Sequence, residues 1–410
     1  MSSTLLSTLS IAMDYVWSPD KKLRALVLDL HPETSAPIDI PLLLRVLDDT
    51  FHLPAPTLIL RTHNEALLRA LVHGVHENNK WILVPETSLL SDEIFLAQAQ
   101  EACLQGAQLV WSGKGAEKPH ESLQGLYMKH FQNYKPERER MIQRAGYQEV
   151  SPLPNTAVRQ DQICAGIDNE IFLIHCIEEK KVWGVAGWPF KPLVLQMVAQ
   201  SSSPSFEAVR SLSRAIENEA SIEKLESLLG QDPILAYRFI RFVNSVVVSR
   251  GQPIESLRRG LAMVGLSKVG EWLEDQCIGA VEPGNLDPLR VQMVFRAMLT
   301  EYLLDPGADQ ELKSELYLCG LFSQLDILLN ELMPTVLQRI PLPERVLSAI
   351  GGRRGVYWAA LDMAFALEAG DAVLVSQRGI IHGTPPSQVN KALLRVMSGL
   401  SSITTVQPLL

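Results

Sequence analysis

From Leu23 to Gly115 short apolar runs alternate with helical patterns, and this alternation constrains the fold more than any other feature. LRALVLDL, TLILRT, WILVPE and AQLVWSG read as strands, and IDIPLLLRVLDDTF, NEALLRALVHGV and EIFLAQAQEACLQ between them read as helices. Strands separated by helices of this length predict βαβ units and a parallel sheet. The stretch from Ala116 to Asn155 is more polar and carries the charged run Lys135–Arg140. IFLIHCI and VWGVAGW, around Ile171 to Trp188, read as two final strands. Everything after Lys191 reads as helical, which places a boundary near Phe190 and divides the chain into residues 1–190 and 191–410.

The second half is best defined between Lys224 and Leu273. Asp232 is a good N-cap, and Pro233 suits the first helical position, where its missing N–H costs nothing. Leu235, Phe239, Phe242 and Val243 form a core-facing stripe, with Arg238 and Arg241 off it. Asn244-Ser245 ends that helix, and Arg250-Gly251-Gln252-Pro253 is a loop by its turn residues. Leu257, Leu261 and Val264 mark a second helix that Gly265 stops, and Ser267 caps the next. Ser201 to Ser205 forms a loop that caps a helix beginning near Phe206. From Gly379 onward, Thr384-Pro385-Pro386 precedes a helix at Ser387 to Met397, which either packs on the core or presents an interaction surface.

At 410 residues the chain is long enough for two or three domains. A net charge of -9 argues against a general nucleic-acid binder. The five cysteines are scattered and never spaced as CxxC, so neither a disulfide framework nor a zinc site is expected, and a reducing cytoplasm is the natural compartment. MSSTLLSTLSIAMDYVW lacks a basic n-region, and no apolar run reaches the roughly 18 residues of a membrane span.

Asp232, Pro233, Leu235, Arg238, Val243, Asn244 and Ser245, followed by Ile254, Ser256, Leu257, Leu261 and Gly265, resemble the signature of HDOD domains. These are all-helical signalling modules related in fold to HD-type phosphohydrolases. Gly260 departs from the pattern, which usually has alanine there. The order of the halves, with GWPFKPL ending the first, is similar to the EAL–HDOD proteins of the YuxH-like family. The resemblance implies a degenerate TIM-like, EAL-type barrel followed by an HDOD domain, with Trp188-Pro189-Phe190 at the closing strand.

EAL domains hydrolyse cyclic di-GMP with two metal ions held by carboxylates and an asparagine, because hard oxygen ligands are needed to bind Mg²⁺ or Mn²⁺ and activate water. RALVLDLHP resembles the signature strand, with Ala25, Leu26, His31 and Pro32 in register and the glutamate position on Arg24. The asparagine position falls near Arg61, and the paired aspartates fall on Val110 and Trp111. Glu86 is the one carboxylate in reach. In the second half, YLCGLFSQLDILL, from Tyr317 to Leu329, resembles the helix of the His-Asp pair, and those positions hold Ser323 and Gln324. The resemblance therefore implies a chain that is not an enzyme, has no cofactor or metal, and acts by contact with other signalling proteins. The alternative is a receptor that binds cyclic di-GMP, or another nucleotide, without hydrolysis, with Arg24 and Arg61 at the barrel mouth.

Other residues carry weaker signals. His73 and His76 could share a helix face for a metal, and His175-Cys176 reads as core strand. Ser112-Gly113-Lys114-Gly115 lacks the full phosphate-loop spacing and reads as a turn. Arg238, Arg241, Arg258 and Arg259 make either a patch for an acidic ligand or a solvated helix face.

Overall fold

The computed structural model of the chain describes residues 5–50, 56–76, 79–114, 118–123, 125–134, 158–188, 203–247, 253–281, 284, 286–304 and 307–400. Pro189-Phe190, Ser201-Ser202, Arg250-Gly251-Gln252, Gly115, Lys135–Arg140 and the last ten residues lie outside them. The chain divides into one unit of Met1–Pro189 with Phe365–Leu410 and a second of Phe190–Ala364. The C-terminal segment thus groups with the first half, whereas the sequence pattern assigns it to the second.

The first unit is a closed eight-stranded barrel in sequential order: β1 (Leu9–Trp17), β2 (Leu23–Pro32), β3 (Thr57–Arg61), β4 (Lys80–Pro85), β5 (Gln108–Lys114), β6 (Tyr127–Asn133), β7 (Gln162–Ala165) and β8 (Gly184–Ala186). β1 runs antiparallel to both β2 and β8, and all other neighbours are parallel. Its helices are α1 (Ile40–Thr50), α2 (Glu65–Gly74), α3 (Glu86–Leu90), α4 (Glu93–Leu104) and α5 (Glu170–Ile174). Side chains alternate across each strand, so Val16, Ala25, Val27, Ile59, Leu83, Val110, Phe131, Ile163 and Ala186 fill the lumen as an apolar core. β5 continues through Ser112 to Lys114, so these residues are strand and not turn.

IFLIHCI is helical, not a strand. The Asn169 side chain accepts from the Phe172 N–H, Glu170 sits in the first turn, and α5 runs on into a single π turn at His175–Glu179. A seven-residue apolar run does not distinguish a buried strand from a buried helix, and here the cap decides.

The second unit is helical throughout its described residues: α6 (Phe206–Glu217), α7 (Ile222–Leu229), α8 (Pro233–Val247), α9 (Leu257–Val264), α10 (Leu266–Gly279), α11 (Asp287–Tyr302), α12 (Gln310–Phe322), α13 (Leu325–Leu329), α14 (Met333–Leu337), α15 (Glu344–Gly352) and α16 (Trp358–Leu367), whose last residues pass into the first unit. Ser205 caps α6 as expected. Asp232 caps α8 through the Leu235 N–H, and Leu235, Phe239 and Val243 are buried. α8 runs past Asn244-Ser245 to Val247. Gly265, at φ +81°, ends α9 and begins α10, so Ser267 is not the cap. At Gly260 an alanine Cβ would lie 2.9 Å from the Phe239 ring, which accounts for the departure from the family pattern.

Two further helices, α17 (Ala372–His382) and α18 (Pro386–Ser398), return to the barrel and pack against β1. Both faces of β1 are therefore covered: Leu9, Ile11, Met13, Tyr15 and Trp17 are as buried as Val16 on the lumen side. Asn390 of α18 fixes the contact by donating to the Leu6 and Leu9 carbonyls at 2.9 and 2.6 Å. Of the two readings of the C-terminal helix, packing on the core is the one found.

Candidate functional site

In a barrel of this kind chemistry gathers where the parallel strands end. β2 and β3 pair so that Asp29 and Arg61 face each other at that end. Arg61 Nε donates to Asp29 Oδ1 at 2.8 Å, and its Nη2 donates to the Gly370 carbonyl. The other Asp29 oxygen accepts the Ala372 N–H at 2.9 Å. Tyr15 donates its hydroxyl to Glu368 at 2.9 Å. The turn between α16 and α17 is thus held over this side of the mouth by both partners of the ion pair. Gly370 has φ +67°, which its lack of a Cβ makes inexpensive. An added Cβ would sit 3.1 Å from that of Asp14.

Asp14, on the lumen face of β1, accepts the Tyr15 N–H at 2.8 Å. Burial raises its pKa from 3.8 to about 6, although Arg61 and the Tyr15 and Gly187 amides pull the other way. Beside the capping turn, Asp14 and Asp29 thus face the Arg61 guanidinium, largely committed to one another and to that turn.

The residues that the resemblance puts at EAL ligand positions do not converge. Arg24 donates to the Trp183 carbonyl at 2.6 Å and lies over the Trp183 ring. It precedes Asp29 by five residues on β2, about 16 Å along the strand, and so lies toward the opposite end of the barrel from Arg61. The expectation that Arg24 and Arg61 share the mouth is therefore corrected. Val110 lies in the lumen, while Trp111 points to the other face of β5 and donates Nε1 to Glu86 at 3.2 Å. Glu86 also accepts the His120 N–H at 3.0 Å.

In the helical unit the signature residues hold the fold together. Asp232 accepts from the Ser205 N–H, the Leu235 N–H and Arg290 Nη1, all within 2.9 Å, and both members of the Asp232–Arg290 ion pair are buried. The Asn244 side chain donates to the Ile240 and Ile254 carbonyls and accepts the Ile254 N–H, tying α8 to the approach to α9. Ser245 donates to the Phe242 carbonyl.

The expected His-Asp helix is two helices, broken where Ser323 and Gln324 stand between α12 and α13. Arg296 of α11, 3% exposed, donates Nη1 to Ser323 Oγ at 2.9 Å and to Gln324 Oε1 at 2.7 Å. A buried guanidinium therefore meets both positions. Sequence reading missed Arg290, Arg296, Asp14 and the Gly370 turn. The two arginines have a faint sequence signal, as cations inside a helix otherwise buried over most of its length.

The four-arginine patch separates. Arg238 and Arg241 line an open groove of about 440 Å³ with Phe242, Ser245, Trp272 and Gln276. Arg258 and Arg259 line another of about 450 Å³ alongside Glu255, Glu311 and Glu315, and Arg258 pairs with Glu223. α2 ends at Gly74, so His73 and His76 share no helix face, and His76 Nε2 meets the His73 carbonyl instead. His175 meets Glu179 across the π turn. Among the described residues no group of three or more His, Cys, Asp or Glu could hold a metal, and no helix is long and apolar enough to cross a membrane.

The HDOD domain family matches residues 204–342. CdgJ of Vibrio cholerae, named a cyclic di-GMP phosphodiesterase, is 26% identical over 196 residues, 47% of this chain and 45% of CdgJ. YuxH of Bacillus subtilis, which has no assigned function, is 23% identical over 177 residues, 42% of each chain. The chain spans less than half the length of these curated relatives. Among solved structures, the MmoQ response regulator of Methylococcus capsulatus gives a TM-score of 0.40 at 15% identity, covering 48% of this chain and 99% of that one. BlrP1 of Klebsiella pneumoniae, in a complex with manganese and cyclic di-GMP, gives 0.29 at 12%, covering 45% and 55%. The expectation that the chain is not an enzyme is overturned by the likeness to CdgJ, a protein named for phosphodiesterase activity. Residues 204–342 thus match the HDOD domain family, and the chain is similar to CdgJ and YuxH.

Proposed function

We propose that the chain is a bacterial signal-transduction protein of cyclic di-GMP signalling that acts by docking other signalling proteins. The observation that carries this reading is on α17, the helix that begins at the mouth-capping turn. Ile380 is 81% exposed and Ile381 65%, with Val373 one face-repeat earlier also exposed. Neighbouring large apolar side chains left in water are a common mark of a protein contact. The likeness to CdgJ, named a cyclic di-GMP phosphodiesterase, supports the link to cyclic di-GMP. The test is cyclic di-GMP content, measured by mass spectrometry in a strain deleted for the gene and complemented with wild type or with the double variant Ile380→Asp, Ile381→Asp. Wild type should restore the pool and the variant should not. A variant that complements fully would refute docking through α17.

A second reading, that the chain binds cyclic di-GMP, is supported by the arginine and aromatic groove between α8 and α10. Its test is a calorimetric titration of the full chain with cyclic di-GMP, with and without Mg²⁺. Failure to bind at millimolar ligand would remove it.

A further inference from the structure

We propose that the groove between α8 and α10 is a binding site for a nucleotide phosphodiester, with cyclic di-GMP as the first ligand to try. This deepens the second reading and moves its site from the barrel mouth to the helical unit. Arg238, Arg241, Phe242 and Ser245 follow one another at i, i+3, i+4 and i+7, so they form a single stripe of α8. Trp272 and Gln276, four apart, form the matching stripe of α10. Together these six residues line the groove of about 440 Å³, within the size range of small-molecule sites.

Each wall offers part of what such a ligand needs. Two guanidinium forks one turn apart match the oxygens of a phosphodiester, which arginine binds in bidentate fashion. Arg241 makes no ion pair among the described residues and rests over the Tyr237 ring. Arg238 is anchored to Gln276 Oε1 at 2.8 Å, which fixes its direction. The two cations are close enough to repel: burial first, then Arg241 and Arg290, lower the Arg238 pKa, against the attraction of Asp232. An anion in the groove would relieve that repulsion. Beside the arginines, Phe242 and Trp272 stack at 5.3 Å with an interplanar angle of 18°, and Phe239 meets the Trp272 ring edge-on at 5.4 Å. A planar base can extend such a stack, and base–aromatic stacking tolerates any base. The Ser245 hydroxyl and Gln276 amide add polar contacts at the rim. At the mouth of the barrel, by contrast, Arg61 is already bonded to Asp29 and to the Gly370 carbonyl.

The experiment is calorimetric titration of the full-length chain with cyclic di-GMP, with GMP, and with inorganic pyrophosphate. The proteins are wild type, Arg241→Glu and Arg238→Lys, each checked for folding by circular dichroism. Arg241 is exposed, so its charge reversal should leave the fold intact. The expected result is binding of cyclic di-GMP by wild type, at least tenfold weaker in Arg241→Glu. Arg238→Lys, which keeps the charge but loses the fork, should be several-fold weaker. GMP should bind more weakly than the dinucleotide but tighter than pyrophosphate, since pyrophosphate cannot stack. Binding of cyclic di-GMP that neither variant weakens would overturn this site while leaving the receptor reading intact. No binding of any of the three probes at millimolar concentration would overturn both.

Discussion

Asp14 offers a test of how the barrel mouth is assembled. Its carboxyl titrates at about 6 in the folded chain, against 3.8 for a solvated aspartate, chiefly because burial disfavours the charged form. The folded state therefore binds the proton more tightly than the unfolded chain. Stability falls as the pH rises through the window from about 4 to about 6, and the deficit is full above it. The difference corresponds to about 3 kcal/mol at neutral pH, with the attraction of Arg61 already included. Asp14→Asn keeps an acceptor for the Tyr15 N–H and removes the charge. The variant should be more stable than wild type by up to about 3 kcal/mol at pH 7.5, with the gain shrinking toward zero near pH 4. Urea unfolding followed by tryptophan fluorescence suits this test, because Trp17, Trp81, Trp111, Trp183 and Trp188 belong to the barrel unit and only Trp272 and Trp358 to the other. A variant no more stable at pH 7.5, or a gain that does not depend on pH, would refute the reasoning.

Three substitutions probe the remaining framework. Asp232→Ala leaves Arg290 buried without its carboxylate and removes the cap of α8; it should cost about 3–5 kcal/mol in urea unfolding followed by circular dichroism, and a cost below about 1 kcal/mol would contradict the assigned role. Gly320→Ala places a Cβ 2.6 Å from the Ala297 Cα and the Arg296 carbonyl, so α11 and α12 must separate; the expected loss is about 3 kcal/mol, or a fall in melting temperature of several degrees. Gly370→Ala forces an alanine to φ +67° beside Asp14, at a cost of about 1–2 kcal/mol. It should loosen the capping turn, seen as faster hydrogen exchange at the Ala372 amide, which is bonded to Asp29.

How much of this is legible in the sequence follows from where the signals lie. Strands β2 to β5 and the helices between them are readable because each apolar run is short and bounded by a helical period. β1 is not, because LSIAMDYVW is buried on both faces and shows no alternation. β6, YMKHFQN, is hidden because polar residues stand on both of its faces, and β7, QICA, is only four residues long. Asp232 and Asn244 stand out as signature residues, and the place of Asp232 before Pro233 gives the cap of α8. Their long-range partners cannot be read, since Arg290 lies 58 residues from Asp232. The division of the arginine patch is equally out of reach: Arg238 and Arg258 are close in sequence, but the helices they sit on open different grooves.

The two units treat the positions singled out by resemblance in a similar way. In the barrel, Arg61, near which the resemblance puts the asparagine position, binds Asp29 and the backbone of the capping turn. In the helical unit, Ser323 and Gln324, which the resemblance puts at the His-Asp positions, receive Arg296. In each case a guanidinium supplies positive charge at the place the resemblance gives to a metal. An arginine reaches only as far as its side chain and bonds with fixed planar geometry, so it also ties together the elements around it. Arg61 links β2, β3 and the α16–α17 turn, while Arg296 links α11 to the break between α12 and α13. A change at either arginine should therefore register first as loosened helix or turn contacts.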